Sequence, residues 1–252
     1  MNHPWLQFGI SGTALLLATA GSHATFAPAS GLWGHLISHG ATDGPRRVAL
    51  TFDDGPTAGA TDSTLDVLAE LGVKAAFFVI GRNVAKHPDL LRRIQAEGHL
   101  IGNHTYDHCR LGVLRGLHFW RDQIARTDDA IERVLGQRPL FFRPPIGHKT
   151  PIIMSAARRG RHSVVTWSVR AWDGLPTTTE RIVQRVIPRC KAGSIVLLHD
   201  GAEPGRQRNA APTVAAMKPL INGLRERGFE LARLDEITGL HAYADAASRQ
   251  LS

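Results

Sequence analysis

The sequence predicts an α/β fold in which short strands alternate with helices. Three observations carry that expectation: seven apolar runs of strand length, amphipathic stretches of helical period between them, and glycines where those helices should end. Runs apolar at nearly every position suggest strands buried on both faces, as in a parallel sheet covered by helices. Such βα repetition calls for right-handed crossovers, and an open doubly wound sheet and a barrel both satisfy it.

In chain order the strand runs are residues 48–52 (VALTF), 75–80 (AAFFVI), 99–102 (HLIG) and 140–142 (LFF). Residues 163–167 (SVVTW), 194–198 (SIVLL) and 229–232 (FELA) follow. Helical spacing appears at Leu65/Leu68/Leu71, Leu90/Leu91/Ile94, Trp120/Ile124/Ile131/Val134/Leu135, Ile182/Val183/Val186/Ile187 and Val214/Met217/Leu220/Ile221/Leu224. Gly72, Gly98, Gly136 and Gly228 stand where helix C-termini are expected. The chain has 252 residues, 43% of them hydrophobic, enough for one compact domain of roughly 200 residues. A charged fraction of 21% argues against wholesale disorder.

Charge divides the chain. Residues 1–42 contain no Asp, Glu, Lys or Arg, so all 30 basic and 22 acidic side chains lie beyond Thr42. Within that uncharged part, residues 5–20 resemble a signal-peptide core or a weak membrane span, diluted by Gln7, Ser11, Thr13 and Thr19. No basic leader precedes it, Ser22-His23-Ala24 offers a cleavage site, and an apolar helix lying on the domain is the plain alternative. The expected organisation is a leader or anchor at 1–42, one domain at 43–240 and a tail at 241–252. A cell-envelope location, exported or anchored, follows as an expectation.

Cys109 and Cys190 are too few and too far apart for a disulfide framework, a Cys-rich zinc site or a CxxC motif. The net charge of +8 raises nucleic acid as a partner. Yet the basic residues come in short groups among acids, without zinc-finger spacing, and 6% aromatic residues leave little for base stacking. Solvated helix faces explain them better, and no nucleic-acid partner is expected. Positive charge still favours approach to an anionic envelope or membrane surface. No feature sets an oligomeric state.

Functional groups of parallel α/β folds gather at the C-terminal ends of strands. Those ends read Asp53-Asp54-Gly55-Pro56, His104-Thr105-Tyr106-Asp107-His108, Arg143-Pro144-Pro145-Ile146-Gly147, Trp172-Asp173-Gly174 and His199-Asp200-Gly201. On a helical turn His104 and His108 would share one face and meet one metal; on a strand they would stand about 13 Å apart, at roughly 3.3 Å per residue. Two histidines and a carboxylate leave coordination positions open, as in catalytic metal sites. A strand sends Asp53 and Asp54 to opposite faces, which suggests one metal ligand and one proton acceptor. A solvated turn is the bland reading of that pair.

Together, TFDDG at 51–55, His104 through His108, RPPIG at 143–147 and LLHD at 197–200 resemble the polysaccharide deacetylase family, the NodB-homology group of carbohydrate esterase family four. The likeness spans about residues 46–236. It implies a distorted (β/α) barrel of about seven parallel strands and metal-dependent removal of acetyl groups from sugars. It implies Asp54, His104 and His108 as ligands of a divalent metal, zinc first, with cobalt, nickel or manganese as alternatives. Asp53 would be the base acting on water at the metal, oriented by Arg143, and His199 the acid tuned by Asp173. The N–H after Pro145, at Ile146, would hold the oxyanion, and Leu197 would line the acetyl pocket. One motif departs from the family pattern of two acids three apart followed by Trp. Arg170 replaces the first acid and Gly174 the Trp, leaving Trp172 as a substitute wall or as core packing. The expected substrate is an N-acetylated envelope glycan, peptidoglycan or a chitin-like poly-N-acetylglucosamine. A lipid-linked sugar, another amide, or a non-catalytic carbohydrate-binding role are the alternatives.

Overall fold

The computed structural model describes residues 19–245. Its strands are β1 (Arg47–Asp53), β2 (Ala76–Val79), β3 (Leu100–Asn103), β4 (Phe141–Phe142), β5 (Ser163–Val164), β6 (Val169–Arg170), β7 (Ser194–His199) and β8 (Glu230–Leu231). They run in the order β5-β4-β3-β2-β1-β7-β6, with β8 on the start of β1. All pairings along this path are parallel, so the sheet curls into a partly open barrel. Helices α1 (Ala60–Glu70), α2 (Gly81–Lys86), α3 (Pro88–Ala96), α4 (Leu117–Leu135), α5 (Pro151–Arg159), α6 (Thr179–Val186), α7 (Ala211–Glu226) and α8 (Leu234–Thr238) accompany it.

Local chemistry sets the helix ends. Thr150 and Thr178 accept hydrogen bonds from the first turns of α5 and α6, and Pro88 and Pro151 open α3 and α5, where no N–H is needed. Gly72, Gly98, Gly136 and Gly228 all take positive φ past helix ends, as their positions predict.

The pleat decides which side chains reach the barrel interior. Along β1, Val48, Leu50 and Phe52 pack outward against Leu65, Leu68 and Leu220 of the helices, while Ala49 joins the inner cluster. Alternation therefore sends Thr51 and Asp53 inward. Along β7, Val196 and Leu198 face the helices and Ile195 and Leu197 the interior, which carries His199 inward too. Asp53 and His199 are register partners on adjacent strands. The fold thus puts two ionisable groups side by side at one barrel mouth.

Three expectations need correction. Residues 163–167 are not one strand: β5 stops at Val164, Val165 bridges to Ile37, and β6 starts at Val169 with no helix between. The strict alternation breaks there because the chain crosses the barrel's open side. Helices α2, α5 and α8 add to those the periodicity predicts; α2 and α8 are short, and α5 buries Ile153, Met154, Ala156 and Ala157. Residues 241–244, expected in the tail, pack on the barrel: the Tyr243 hydroxyl accepts from Ile101 N at 2.9 Å and Ala244 N donates to Arg138 O at 3.0 Å.

The apolar stretch at 5–20 lies almost wholly outside the described residues. Residues 19–26 are helical with Ala24 fully buried. Beyond them the Lys149 ammonium donates to Ala27 O at 2.8 Å, and Ile37 and His39 bridge to Val165 and Ser194. The described part of the uncharged segment is therefore laid against the barrel across its opening. Among the described residues no helix is long and apolar enough to cross a membrane.

Phe52 is fully buried and stacks on Phe77 at 5.1 Å. Phe52→Ala is expected to cost about 3–5 kcal/mol, read as a lower urea midpoint at an unchanged slope.

Candidate active site

Asp53 ends β1 and Asp54 turns the chain with φ 76°. That left-handed step brings both carboxylates to one cavity, where strand geometry alone would have parted them. His104 Nε2 lies 3.6 Å from both Asp53 Oδ2 and Asp54 Oδ1. His104 and His108 do meet, their rings 4.9 Å apart, but on a loop instead of the expected helical turn. Thr105 (φ 68°) and His108 (φ 50°) make the curve. Thr105 N donates to Asn103 Oδ1, and Tyr106 N and Asp107 N donate to Gln123 Oε1 of α4, which holds it.

Asp54, His104 and His108 are buried with ligand atoms within 4.8 Å of one another. Their surroundings fit a metal. Asp54 Oδ1 is buried with no hydrogen-bond partner, 3.6 Å from His104 Nε2 and 3.5 Å from His108 Nε2. Those separations are long for hydrogen bonds and suit three donors converging on one ion. His104 Nδ1 bonds Arg143 O at 2.7 Å, which turns the Nε2 lone pair inward. Burial, then His108, lowers the His104 pKa to about 3, so the ring stays neutral as a ligand must. For His108 burial acts the same way, but Asp54 and Glu203 outweigh it and raise the pKa.

Arg143, fully buried after β4, donates to Asp53 Oδ1 at 2.7 Å and to Thr51 Oγ1 at 2.9 Å. Across the cavity His199 Nδ1 bonds Asp173 Oδ1 at 2.8 Å, and His199 N donates to Asp173 Oδ2 at 2.9 Å. Burial opposes charge on His199, yet Asp173, with Asp54 and Asp53 beyond it, lifts the pKa to about 9. For Asp173 burial works upward, and His199 and Arg208 override it to hold the carboxyl below its usual range. Behind them Asp200 accepts from Thr61 Oγ1 at 2.6 Å, and burial, aided by Asp54, pushes it up to about 7. Gly55 permits that approach: a Cβ there would stand 2.3 Å from Asp200 Oδ2.

The cavity of about 690 Å³ is lined by Asp53, Asp54, His104, His108, His199 and Asp173, with Ile146, Leu197 and Trp172 on its walls. Pro145 is buried and does not line it; Ile146, at φ 59°, does. Trp172 is 47% exposed at the rim and not core packing. Four residues on the walls carried no sequence signal as site members: Arg110, Glu203, Arg206 and Arg208. Arg110 opens a short 3₁₀ helix and the other three lie in the loop after β7, where no periodicity or motif marks them.

The family model for polysaccharide deacetylase matches residues 40–165. A chitooligosaccharide deacetylase from a Bradyrhizobium species is 38% identical over 207 residues, 79% of this chain and 94% of that protein. This chain belongs to the polysaccharide deacetylase family. The deacetylase is also similar to a crystal structure of a peptidoglycan N-acetylglucosamine deacetylase, at TM-score 0.77 and 32% identity, covering 83% of this chain and 95% of that one. A pseudoenzyme of carbohydrate esterase family 4 from Bacillus anthracis is similar at TM-score 0.72 and 25% identity, over 81% of this chain and 68% of that one. A shared barrel therefore does not decide turnover by itself.

The donor set leads to a direct expectation. Purified deacetylase retains about one divalent ion per chain after dialysis, and His104→Ala and Asp54→Ala each lower affinity at least tenfold, by elemental analysis.

Proposed function

We propose that this deacetylase hydrolyses the acetamide of N-acetylated amino sugars in an envelope polysaccharide, peptidoglycan or a poly-N-acetylglucosamine, with zinc as its metal. The observation that carries the reading is the register pairing of Asp53 with His199 beside the Asp54–His104–His108 cluster. When bound, the metal would polarise the acetyl carbonyl and lower the pKa of water to about 7. Asp53 is the general base, aimed by the Arg143 guanidinium. The Ile146 N–H is assigned to the carbonyl oxygen and Leu197 to the acetyl methyl.

His199 is the general acid. Its Nδ1 is taken by Asp173, so Nε2 carries the proton given to the leaving nitrogen. Water adds across the C–N bond: the hydroxyl goes to the acyl carbon and a proton to nitrogen, releasing acetate and the amine. A non-catalytic sugar-binding role would leave the base, the acid and the ligand cluster together without a use. The uncharged apolar stretch at 5–20 and the net charge of +8 support work at the cell envelope, exported or anchored.

Acetate release from N-acetylglucosamine oligomers tests this. Chelation abolishes it, and Asp53→Asn lowers kcat by about 10²- to 10⁴-fold while oligomer binding persists; binding without turnover under any divalent ion would sink the proposal. The pH profile tests His199. With its pKa raised from 6.5 to about 9, the ring is cationic at neutrality and the rate falls as pH rises through that range. Asp173→Asn removes the main raising charge, so the alkaline limb moves to lower pH; a limb that stays in place would refute the assignment.

A further inference from the structure

Five arginines lie in or against the cavity, and four are matched. Arg143 meets Asp53, Arg110 bonds Glu203 at 2.7 Å, Arg206 lies 3.9 Å from Glu203, and Arg208 lies 3.0 Å from Asp173. Arg170 differs. It ends β6 in register with inward-facing Leu197, which points its side chain into the same cavity. Its guanidinium lies 4.1 Å from the Trp172 ring centroid and 5.6 Å from that of Trp167. It forms no ion pair with any described residue, and its Nε is buried without a hydrogen-bond partner.

Stacking on an aromatic face stabilises a guanidinium without using its edge donors. Those planar N–H groups match a carboxylate, two bonds at once. A half-buried cation left unmatched is costly, and burial does push Arg170 below the usual arginine range despite nearby Asp173 and Asp53. On the same cavity wall Gly174 lies close against the catalytic imidazole: a Cβ there would stand 3.2 Å from the His199 ring. The wall thus presents an unused fork of donors to a cavity of about 690 Å³.

We infer that Arg170 is a specificity residue that recognises a carboxylate carried by the glycan beside the acetamide. This rests on the deacetylase reading and narrows its substrate to an acidic amino sugar, or an amino sugar linked to one.

The test compares three disaccharides with the zinc-loaded wild type, Arg170→Gln and Arg170→Lys. The first is di-N-acetylchitobiose, the second the same disaccharide with a lactyl ether carboxylate, and the third its 6-phosphate ester. Acetate release by the wild type favours the carboxylate form over the neutral one by roughly 10- to 100-fold in kcat/KM. In Arg170→Gln that ratio falls toward one, and in Arg170→Lys it is intermediate, because a point charge replaces the fork. Preference for neither anion, or a preference that survives Arg170→Gln, overturns the inference; a preference for phosphate alone overturns the carboxylate assignment. Calorimetric binding of the same disaccharides gives the same ratios without turnover. The inference is thereby decided even if acetate never appears, an outcome that would count against the deacetylase reading separately. Matched melting temperatures show that the variants fold.

Discussion

Arg143 is the contact on which the site's geometry rests. Its side chain is fully buried and donates to Asp53 and Thr51 of β1 and to the carbonyls of Val165 and Thr166. Thr51 in turn donates to Val196 O of β7 at 2.7 Å. The carbonyl of Arg143 also accepts a hydrogen bond from His104 Nδ1. One residue therefore ties β1 to the chain at the barrel's open side, orients a carboxylate and sets a ligand's tautomer. Removing one partner of a buried ion pair typically costs about 3–5 kcal/mol, because the other charge is left unmatched. The Arg143–Asp53 pair is thus structural and chemical at once.

Around that anchor the backbone is bent against its preference. Six described non-glycine residues have positive φ, and five of them, Asp54, Thr105, His108, Ile146 and Trp172, belong to the strand-end loops of the site. Such conformations cost on the order of 1 kcal/mol or more each and persist where surroundings over-determine them. Here the surroundings are visible: Gln123 and Asn103 hold the His104–His108 loop, and Asp173 grips both the backbone and the ring of His199. The strain brings side chains together that regular strands and helices would keep apart.

The same contrast explains what the sequence made legible. Strand runs at 48–52 and 194–198 could be read because a two-residue pleat with helices on one face leaves an unbroken apolar record. The glycine helix ends could be read because a left-handed backbone excludes most other residues cheaply. Residues 163–167 could not, since their partner Ile37 lies far away in the uncharged segment. Local spacing brought out the histidine pair and misjudged its backbone, because i and i+4 meet on a helix or on a strained loop alike. Glu203 and Arg208 were invisible, as their partners are 93 and 35 residues distant. The 13 histidines of the chain divide similarly: His99 Nδ1 accepts from Ala75 N and His162 bonds Asp128, structural duties that composition cannot separate from catalytic ones.

Matching charges across the mouth shows why the remaining partners come from outside the chain. Asp53 has Arg143, Asp173 has Arg208 and His199, and Glu203 has Arg110. Among the groups lining the cavity, Asp54 and Arg170 stand apart. Asp54 keeps a buried, unpartnered oxygen between two imidazole nitrogens, and Arg170 keeps a buried, unpartnered nitrogen between two indoles. A buried carboxylate oxygen on which two imidazole nitrogens converge fits a cation, which the family's metal chemistry supplies. A cation whose aromatic neighbours leave its edge free fits an anion, and the carboxylate assigned above to the glycan supplies one. The metal and the substrate's charge are thus complementary consequences of one electrostatic arrangement.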